Sequence, residues 1–467
     1  MKKKGYLLYI IIVFAILLVP FLGMSFWATD RTTENTTLSE WPAFVKDGKP
    51  NINYLEDMGD YFEDHFAFRL QMLTANAMIW SKGFDTSTTD QVVTGKDDWL
   101  YFSGTMDDYT GRDLLSDREL KAIVHNLSLM DSYVEFCGGR LIVTVAPNKN
   151  TLYNSAMPYY YQKGETSNLE RLVPLLEEAG IEYVDLTETF QNEDEVLYFK
   201  RDSHWNNKGA LLAYNTIMDA VGREHETYAN VPTVTEKDHI GDIDEILYPL
   251  AAEPEENIYY SKDWGFDYVN DVTDNMDEWI ETVNPDKDGT LLMYRDSFGE
   301  SILPFFADEY NKAYFSRLVP YNMENLIQYQ PDTVIVERVE RQIDAFATEI
   351  PVMESPKVEN IRPLEIKTDT SLKTEQNGSY LVISGTVDQK YVNEDTQIYV
   401  AVSSEDRSRI STYDAFYTLT NSGDGNGYQI YLRDTSLPSE KIHIDVITSD
   451  QDGQWIVKSD DREIEWE

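Results

Sequence analysis

Apolar and polar residues follow two different patterns between residues 117 and 338. Some stretches repeat apolar residues every three or four positions, whereas others are short continuous apolar runs. The first pattern predicts amphipathic helices, and the second predicts strands that are buried on both faces. Their alternation is typical of a mostly parallel sheet covered by helices on both sides. Sites in such sheets form beyond the carboxyl ends of the strands.

These patterns define the bounds of the predicted helices and strands. Helices are predicted over residues 117–137, 168–179, 206–221, 300–309 and 323–329, and strands over residues 140–149, 181–187, 290–294, 313–318 and 332–338. Before them, we expect one helix at 54–80 and two short strands at 91–104 around a turn at 96–98. Residues 222–288 show neither pattern. We expect an irregular insertion there, which either folds over the site or runs along the surface.

The pattern changes again in the last quarter of the chain. From residue 379, short strand-like segments recur with turns between them, including the turn sequence GDGNG at 423–427. This spacing predicts an antiparallel β-sandwich over residues 356–467. It would be separate from an α/β domain over residues 29–355.

The first 28 residues have the composition of a membrane anchor. Three lysines at 2–4 precede about 22 apolar residues at 6–27, a length that spans a bilayer. Lysines on the short side predict a cytoplasmic N-terminus. The chain beyond residue 28 is then outside the cytoplasm, held by a single pass through the cell membrane. A cleaved signal peptide is the alternative interpretation.

The charge of the chain limits its partners. With 83 acidic and 39 basic residues the net charge is −44, which argues against nucleic acid, because phosphates need a basic face. Neutral sugars, or a locally basic groove, stay compatible with it. The single cysteine, Cys137, excludes an intramolecular disulfide and a cysteine-based metal site.

Ser297 occupies a junction between two predicted elements. The strand at 290–294 is followed at once by Arg-Asp-Ser-Phe at 295–298 and then by a helix. A serine there can be a helix cap. It can also be a nucleophile whose oxyanion is held by backbone N–H groups at the helix N-terminus. The choice depends on whether the chain supplies a base.

Histidine is the usual base for a serine nucleophile, and the chain has six histidines. Five of them suit other roles. His65 and His125 lie in predicted helices, His443 is expected at the surface of a sandwich strand, and His225 and His239 lie in the irregular segment without a fixed scaffold.

His204 differs because it lies in the sequence Asp-Ser-His-Trp at 202–205, between the end of a predicted strand and the helix at 206–221. It is therefore expected on the same rim as Ser297. The carboxylate of Asp202 can turn towards the imidazole, orient it and stabilise the imidazolium. Ser297, His204 and Asp202 then form a complete triad. The alternative is that Asp202 caps the helix and His204 packs on Trp205.

The motif Asp-x-His-Trp, followed later by a strand that ends in Asp-Ser-Phe, resembles the SGNH-like acyltransferases that O-acetylate exopolysaccharides, those of the AlgJ and AlgX type. The segments GKDDWLYF at 95–102 and YFEDHFAFR at 61–69 are similar to the Gram-positive DHHW proteins of the same group. The likeness covers roughly residues 50–345. The motif order agrees with this group and is reversed relative to ordinary SGNH esterases.

The resemblance implies a three-layer SGNH/flavodoxin-like α/β fold. It also implies that Ser297 is the nucleophile, His204 the general base and Asp202 the residue that orients His204. The β-rich tail is similar in kind to the carbohydrate-binding module of AlgX-like proteins. Two further residues are candidate contacts to an oxyanion or a substrate: Asn148, at a strand end in VAPNK, and Arg295, where many SGNH proteins have glycine.

Together these features predict a membrane-anchored O-acyltransferase, specifically an O-acetyltransferase, that modifies an extracytoplasmic polysaccharide. The resemblance implies a membrane acyltransferase of the MBOAT type as the partner that relays the acyl group. The mechanism needs no metal or other cofactor. Three alternatives stay open: a carbohydrate esterase with the same triad, an inactive glycan-binding or scaffold protein, and a metal site formed by Asp202, His204 and Asp296.

Overall fold

The computed structural model describes residues 2–24, 26, 38–46, 48–84, 86–365, 371–419 and 425–464. The chain begins with the apolar helix α1 (Lys2–Gly23). Its segment Gly5–Gly23 has a mean hydropathy of 2.7 and is long enough to cross a membrane. This finding fits a single-pass anchor. Residues 1, 25, 27 and 28 of the predicted anchor lie outside the described residues.

A small region of short elements follows the anchor. It contains β1 (Val45–Lys46), β2 (Lys49–Pro50), α2 (Tyr54–His65), α3 (Arg69–Phe84), β3 (Val92–Thr94), β4 (Leu100–Phe102) and α4 (Met106–Tyr109). Residues 54–80 are mostly helical as predicted, but they form two helices, because Phe66 has an extended backbone with a ψ of 141° and Phe68 has a φ of 63°. The two strands around the turn at 96–98 are confirmed.

The α/β region alternates helices and strands as predicted. Its helices are α5 (Asp117–Phe136), α6 (Lys149–Leu152), α7 (Asn168–Ala179), α8 (Leu186–Gln191), α9 (Asn207–Val221), α10 (Asp242–Leu247), α11 (Gly299–Glu309), α12 (Asn325–Tyr329) and α13 (Ala345–Thr348). Its strands are β5 (Arg140–Ala146), β6 (Tyr183–Val184), β7 (Thr233–His239), β8 (Glu255–Tyr260), β9 (Asp267–Tyr268), β10 (Trp279–Val283), β11 (Thr290–Tyr294), β12 (Lys312–Ser316) and β13 (Thr333–Val339).

Seven of these strands form the central sheet in the order β6-β5-β13-β11-β12-β10-β9. The first five run parallel, whereas β10 and β9 are antiparallel to their neighbours. Helices α5 and α7 pack on one face of the sheet, and α8, α9 and α11 pack on the other. The three layers confirm the predicted fold class.

Two predicted strands are shorter than expected. β6 ends at Val184 because the side chain of Asp185 accepts the N–H of Glu188 and so caps the helix α8. β5 ends at Ala146, before the proline at 147, and α6 begins at Lys149.

The segment at 222–288 is only partly irregular, which corrects the expectation, because it contains four strands and one helix between its loops. β7 and β8 pair antiparallel, α10 lies between them, and β9 and β10 extend the central sheet. The strands were missed because most positions of β7 are exposed, so this strand shows no apolar alternation. Several residues of the segment line the cavity described below.

The remaining strands form two sheets, as the sandwich prediction required. They are β14 (Lys357–Val358), β15 (Leu364–Glu365), β16 (Ser371–Asn377), β17 (Tyr380–Thr386), β18 (Gln397–Ser404), β19 (Ile410–Asp414), β20 (Phe416–Thr418), β21 (Gly427–Arg433), β22 (Lys441–Asp450) and β23 (Gly453–Glu463). Their orders are β14-β19-β18-β22-β23-β15 and β16-β17-β21-β20. Pairing is antiparallel except between β15 and β23. The predicted turn at 423–427 lies partly outside the described residues.

The sandwich shares a continuous apolar core with α5. Arg118 Nη1 donates to the carbonyl of Thr396 at 2.6 Å, and Asn126 exchanges two 2.9 Å hydrogen bonds with the main chain of Tyr417. These contacts tie the sandwich to the α/β region, so it is less separate than the sequence suggests. The boundaries after residues 28 and 355 stay predictions.

His443 is buried rather than at the surface, which corrects a second expectation. Its strand β22 lies between β18 and β23. The imidazole hydrogen-bonds to Asp461 at 2.7 Å and Asp445 at 3.0 Å. Inner strands of a sheet have neighbours on both sides that cover a side chain of this size.

Candidate active site

Ser297 lies in the short segment between the end of β11 and the start of α11. The carboxylate of Asp296 accepts the N–H groups of Phe298 and Val339, both at 2.8 Å, and so fixes this turn against the end of β13. The side chain of Ser297 does not cap α11, whose N-cap position is Phe298. Its Oγ points instead towards His204.

His204 lies in a tight loop that leads into α9. Tyr198 and Trp205 form an isolated bridge across this loop, and Asn206 caps α9 by accepting the N–H groups of Lys208 and Gly209. The predicted strand before the loop is reduced to that bridge. His204 is nevertheless brought to the carboxyl end of β11, opposite Ser297.

The buried ammonium of Lys149 holds the same loop from below. Its Nζ donates to the carbonyls of Phe199, Lys200 and Asp202 at 3.3, 3.0 and 2.5 Å. Burial lowers the pKa of Lys149 to about 8, although nearby carboxylates oppose this. Its role could not be predicted, since a lysine that follows a strand gives no sign of burial in the sequence.

Ser297, His204 and Asp202 form one hydrogen-bonded path. His204 Nε2 lies 2.8 Å from Ser297 Oγ, and His204 Nδ1 lies 2.7 Å from Asp202 Oδ1. Because a carboxylate can only accept, Nδ1–H donates to Asp202, and Nε2 accepts from the serine hydroxyl. This is the order of contacts that a nucleophile, its base and an orienting carboxylate require.

Burial and the partners of these groups shift their pKa values in opposite directions. Burial alone would raise the pKa of Asp202, but hydrogen bonds from His204 and His239 hold it well below its ordinary value. Burial alone would lower the pKa of His204, but Asp202, together with Asp242, holds it above its ordinary value. Asp202 is therefore held as a carboxylate, and the imidazole of His204 beside it gains a proton readily.

His239 and Asp242 also contact Asp202, and sequence analysis missed both. Asp202 Oδ2 lies 2.9 Å from His239 Nε2 and 3.1 Å from the main-chain nitrogen of Asp242. The His239 ring stacks on Phe199 with ring centroids 3.7 Å apart. The expectation that His239 lacks a fixed scaffold was wrong, because it ends β7 and is held on two sides. No motif marks either residue in the sequence.

The metal alternative of Asp202, His204 and Asp296 is not supported by this geometry, because Asp296 is directed at backbone N–H groups. Asp242 takes its place in a cluster whose ligand atoms lie within 4.8 Å of one another. The Asp242 carboxylate, however, accepts the N–H and hydroxyl of Ser203 at 2.7 and 2.5 Å. The protein's own hydrogen bonds thus account for the cluster.

Arg295 does not line the cavity around Ser297. Its side chain is 2% exposed and donates to the main-chain carbonyls of Asn275, Asp277 and Asp296. A Cβ at Gly299 would lie 2.5 Å from Arg295 Cδ, so only glycine lets the arginine pass beneath α11. Burial and Arg317 lower its pKa to about 10. Arg295 therefore supports the wall at 275–277 and is not placed to contact an oxyanion.

Asn148 also lies outside the cavity. It is buried, its N–H donates to Glu340 Oε2 at 2.7 Å, and it lines a small neighbouring cavity with Ser203 and Arg341. The reason is that the chain turns into α6 directly after it, which directs the side chain beneath the loop of His204.

The cavity beside Ser297 has a volume of about 630 Å³, a size common for small-molecule sites. Its walls come from the His204 loop, the β7–β8 pair, α10, the segment at 275–276 and α11. It is lined by Phe199, Asp202, His204, Trp205, Asn207, His239, Ile240, Asp242, Glu245, Asn257, Tyr259, Tyr260, Trp264, Asn275, Met276, Ser297, Glu300, Ser301, Pro304 and Phe305.

Residues 92–262 match the family model described as the SGNH hydrolase-like domain of the acetyltransferase AlgX. The chain carries an SGNH hydrolase-like domain. This match confirms the resemblance that the Asp-x-His-Trp motif indicated. The matched part of the SGNH hydrolase-like domain contains Asp202 and His204 and ends before Ser297.

Three solved structures are similar to the chain at low identity. PatB1 from Bacillus cereus shares 17% identity over 54% of this chain and 96% of its own, with a TM-score of 0.45. A DHHW family protein from Eubacterium siraeum shares 15% identity over 56% and 95%, with a TM-score of 0.43. Pseudomonas aeruginosa AlgX shares 15% identity over 73% and 86%, with a TM-score of 0.36. These values are low, and we infer neither the fold nor the site from them. No curated protein sequence matches the chain.

Proposed function

We propose that the chain is an O-acyltransferase, specifically an O-acetyltransferase, that modifies an extracytoplasmic polysaccharide through an acyl group on Ser297. The observation that carries the proposal is the path from Ser297 Oγ through His204 to Asp202, with contacts of 2.8 and 2.7 Å. The family whose model matches residues 92–262 is described as an acetyltransferase domain, which favours transfer of an acetyl group.

In the first half-reaction, Ser297 Oγ attacks the carbonyl carbon of an ester donor while its proton passes to His204 Nε2. The tetrahedral intermediate then breaks the bond to the leaving oxygen, and His204 returns the proton to that oxygen. An acetyl-serine and a free alcohol result. Asp202 keeps Nδ1 protonated and stabilises the imidazolium. We propose that backbone N–H groups beside Ser297, near the N-terminus of α11, hold the developing oxyanion.

In the second half-reaction, a sugar hydroxyl gives its proton to His204 and attacks the acetyl-serine. The new ester bond forms as the bond to Ser297 Oγ breaks, and His204 returns the proton to the serine. Water in place of the sugar would make the protein an esterase. The triad is the same in both cases, so the choice depends on which acceptor the cavity binds.

The apolar helix α1 supports a place for the protein at the membrane surface. α1 is long and apolar enough to cross a bilayer, and lysines precede it, so we place the N-terminus in the cytoplasm and the site outside. A donor made in the cytoplasm must then be relayed across the bilayer, and an MBOAT-type acyltransferase is the proposed partner. The β-sandwich is proposed to hold the glycan near the site.

The test is to compare acetyl transfer to oligosaccharides with plain hydrolysis, using the full-length chain in detergent and p-nitrophenyl acetate as donor. Ser297→Ala should lower both rates by several orders of magnitude, roughly 10³–10⁶-fold. Ser301→Ala is the matched control, because Ser301 lines the same cavity but its Oγ accepts from Trp205. Hydrolysis without transfer to any oligosaccharide would favour the esterase. Background rates in the parent chain would favour an inactive scaffold, and measurable rates unchanged by Ser297→Ala would exclude Ser297 as the nucleophile.

A further inference from the structure

The wall of the cavity beside Ser297 is acidic. Four carboxylates line it, those of Asp202, Asp242, Glu245 and Glu300. Among the residues that the structure describes, no lysine or arginine lines it. Asp202 is already held by His204 and His239, so the carboxylates of Asp242, Glu245 and Glu300 are the ones that face a bound molecule, with no lysine or arginine among the lining residues to neutralise them.

Three cations close to the cavity are engaged elsewhere. Arg201 pairs with the buried carboxylate of Asp244, and Lys262 Nζ lies 2.5 Å from Asp308 Oδ2. Arg295 donates to main-chain carbonyls behind the cavity wall. Each of these groups is held by a partner within the protein, so none is free to turn towards a bound anion without breaking that contact.

Glu300 reports the electrostatic environment inside the cavity. Burial raises its pKa, and the charges of Asp274 and Asp202 raise it further, while His204 and Arg295 oppose this without cancelling it. A carboxylate brought in by a ligand would meet the same burial and the same neighbouring charges.

The rest of the lining suits an uncharged ring. Tyr259, Tyr260, Trp264 and Phe305 offer aromatic surface, and the amide of Asn207 lies among them. Aromatic residues with a few placed polar groups are the usual lining of small-molecule sites. The acidic groups themselves can accept hydrogen bonds from sugar hydroxyls, and such charge-assisted bonds are strong.

We propose that the acceptor is a glycan whose ring in this cavity carries no negative charge, so that uronate polysaccharides are poor acceptors. The inference rests on the proposed acyl transfer from Ser297 and specifies its acceptor. A uronate carboxylate in the cavity would lie near Glu245 and Glu300 in partly water-excluded surroundings, which repel it. The same carboxylates attract the hydroxyl groups of a neutral sugar. The acidic wall thus selects against one class of glycan by repulsion.

The experiment compares two acceptors that present the same rings and hydroxyl groups but differ in charge: oligoglucuronate, and its methyl ester, in which each carboxylate carries one added methyl group. The full-length chain in detergent receives p-nitrophenyl acetate as donor, and mass spectrometry measures acetylated oligosaccharide. We expect kcat/KM for the methyl ester to exceed that for the uronate by about tenfold or more, a ratio that shrinks as salt is added.

Two charge-reversal variants test whether the acceptor preference depends on the carboxylates of the cavity wall. Glu245→Lys should reduce the preference for the methyl ester severalfold, because it places a cation in the cavity. Glu178→Lys makes the same change of net charge at an exposed position of α7, which packs on the face of the central sheet opposite to α9 and α11 and does not line the cavity. It should leave the preference unchanged. An equal effect of both variants would attribute the preference to overall charge and overturn the assignment to this cavity.

Failure of this inference is distinguishable from failure of the proposed function. Acetylation of Ser297 by the donor alone is followed by mass spectrometry of the protein. If Ser297 is acetylated but the uronate is the better or an equal acceptor, the inference is wrong and the acyl-serine mechanism stands. If no acetyl-serine forms in a folded preparation, the proposed function itself is wrong.

Discussion

The carboxylate of Asp202 lies 2.9 Å from Nε2 of His239, a residue 37 positions further along the chain. The other oxygen of the same carboxylate lies 2.7 Å from His204 Nδ1. Asp202 is therefore held from both sides, and its orientation towards His204 does not depend on the short loop alone. The second contact also helps to keep the pKa of Asp202 well below its ordinary value.

Removing the second contact should slow acylation without abolishing it. In His239→Ala, Asp202 Oδ2 loses a charge-assisted hydrogen bond, and we expect a loss of about tenfold in kcat for p-nitrophenyl acetate. His239→Gln should recover most of the rate, because an amide N–H can donate to the same oxygen. If alanine and glutamine variants are equally slow while both melt like the parent chain, the hydrogen bond is not the reason.

Replacing Asp202 should change the pH profile as well as the rate. His204 accepts the serine proton only when neutral, so activity rises with pH through the pKa of His204, which Asp202 raises above its ordinary value. In Asp202→Asn, that acidic limb should move to lower pH, and the plateau rate should fall by roughly 10³–10⁴-fold. The measurement is kcat/KM against pH for both chains. An acidic limb at the same pH in both would contradict the assigned contact.

Arg295 should matter for the cavity wall and not for the chemistry. Arg295→Met leaves the carbonyls of Asn275 and Asp277 without their donor. We expect about 1–3 kcal/mol less unfolding free energy and a raised KM for the oligosaccharide acceptor. Formation of acetyl-serine from the small donor should change little. Lys312→Met, at the exposed start of β12, is the control and should alter neither quantity.

Much of the fold and part of this site could be predicted from local sequence patterns. The positions of Ser297, His204 and Asp202 could be predicted because each precedes a recognisable helix, and Ser297 also follows a recognisable strand at the carboxyl edge of the sheet. The apolar runs at 290–294 and 332–338 correspond to β11 and β13 almost to the residue. Buried parallel strands give such clear signals because both of their faces are covered.

The parts that sequence did not reveal depend on contacts between distant segments. His239 and Asp242 approach Asp202 because β7 pairs with β8. Most of β7 is exposed, so it lacks the alternation of apolar residues from which a strand is predicted. Arg295 could not be distinguished from a substrate contact, since a buried arginine and a cavity-lining arginine have the same neighbours in sequence. Its carbonyl partners at 275 and 277 lie about 20 residues away, in a segment whose apolar residues show neither a helical nor a strand periodicity.

The most direct test of the central claim is to treat the full-length chain with a serine-directed phosphonate and to map the adduct by peptide mass spectrometry. The Ser297–His204 contact of 2.8 Å predicts one adduct per chain, on Ser297. It also predicts labelling slower by about 100-fold or more in His204→Ala, because the base no longer accepts the serine proton. An adduct on any other residue, or none in a preparation that transfers acetyl groups, would contradict the account.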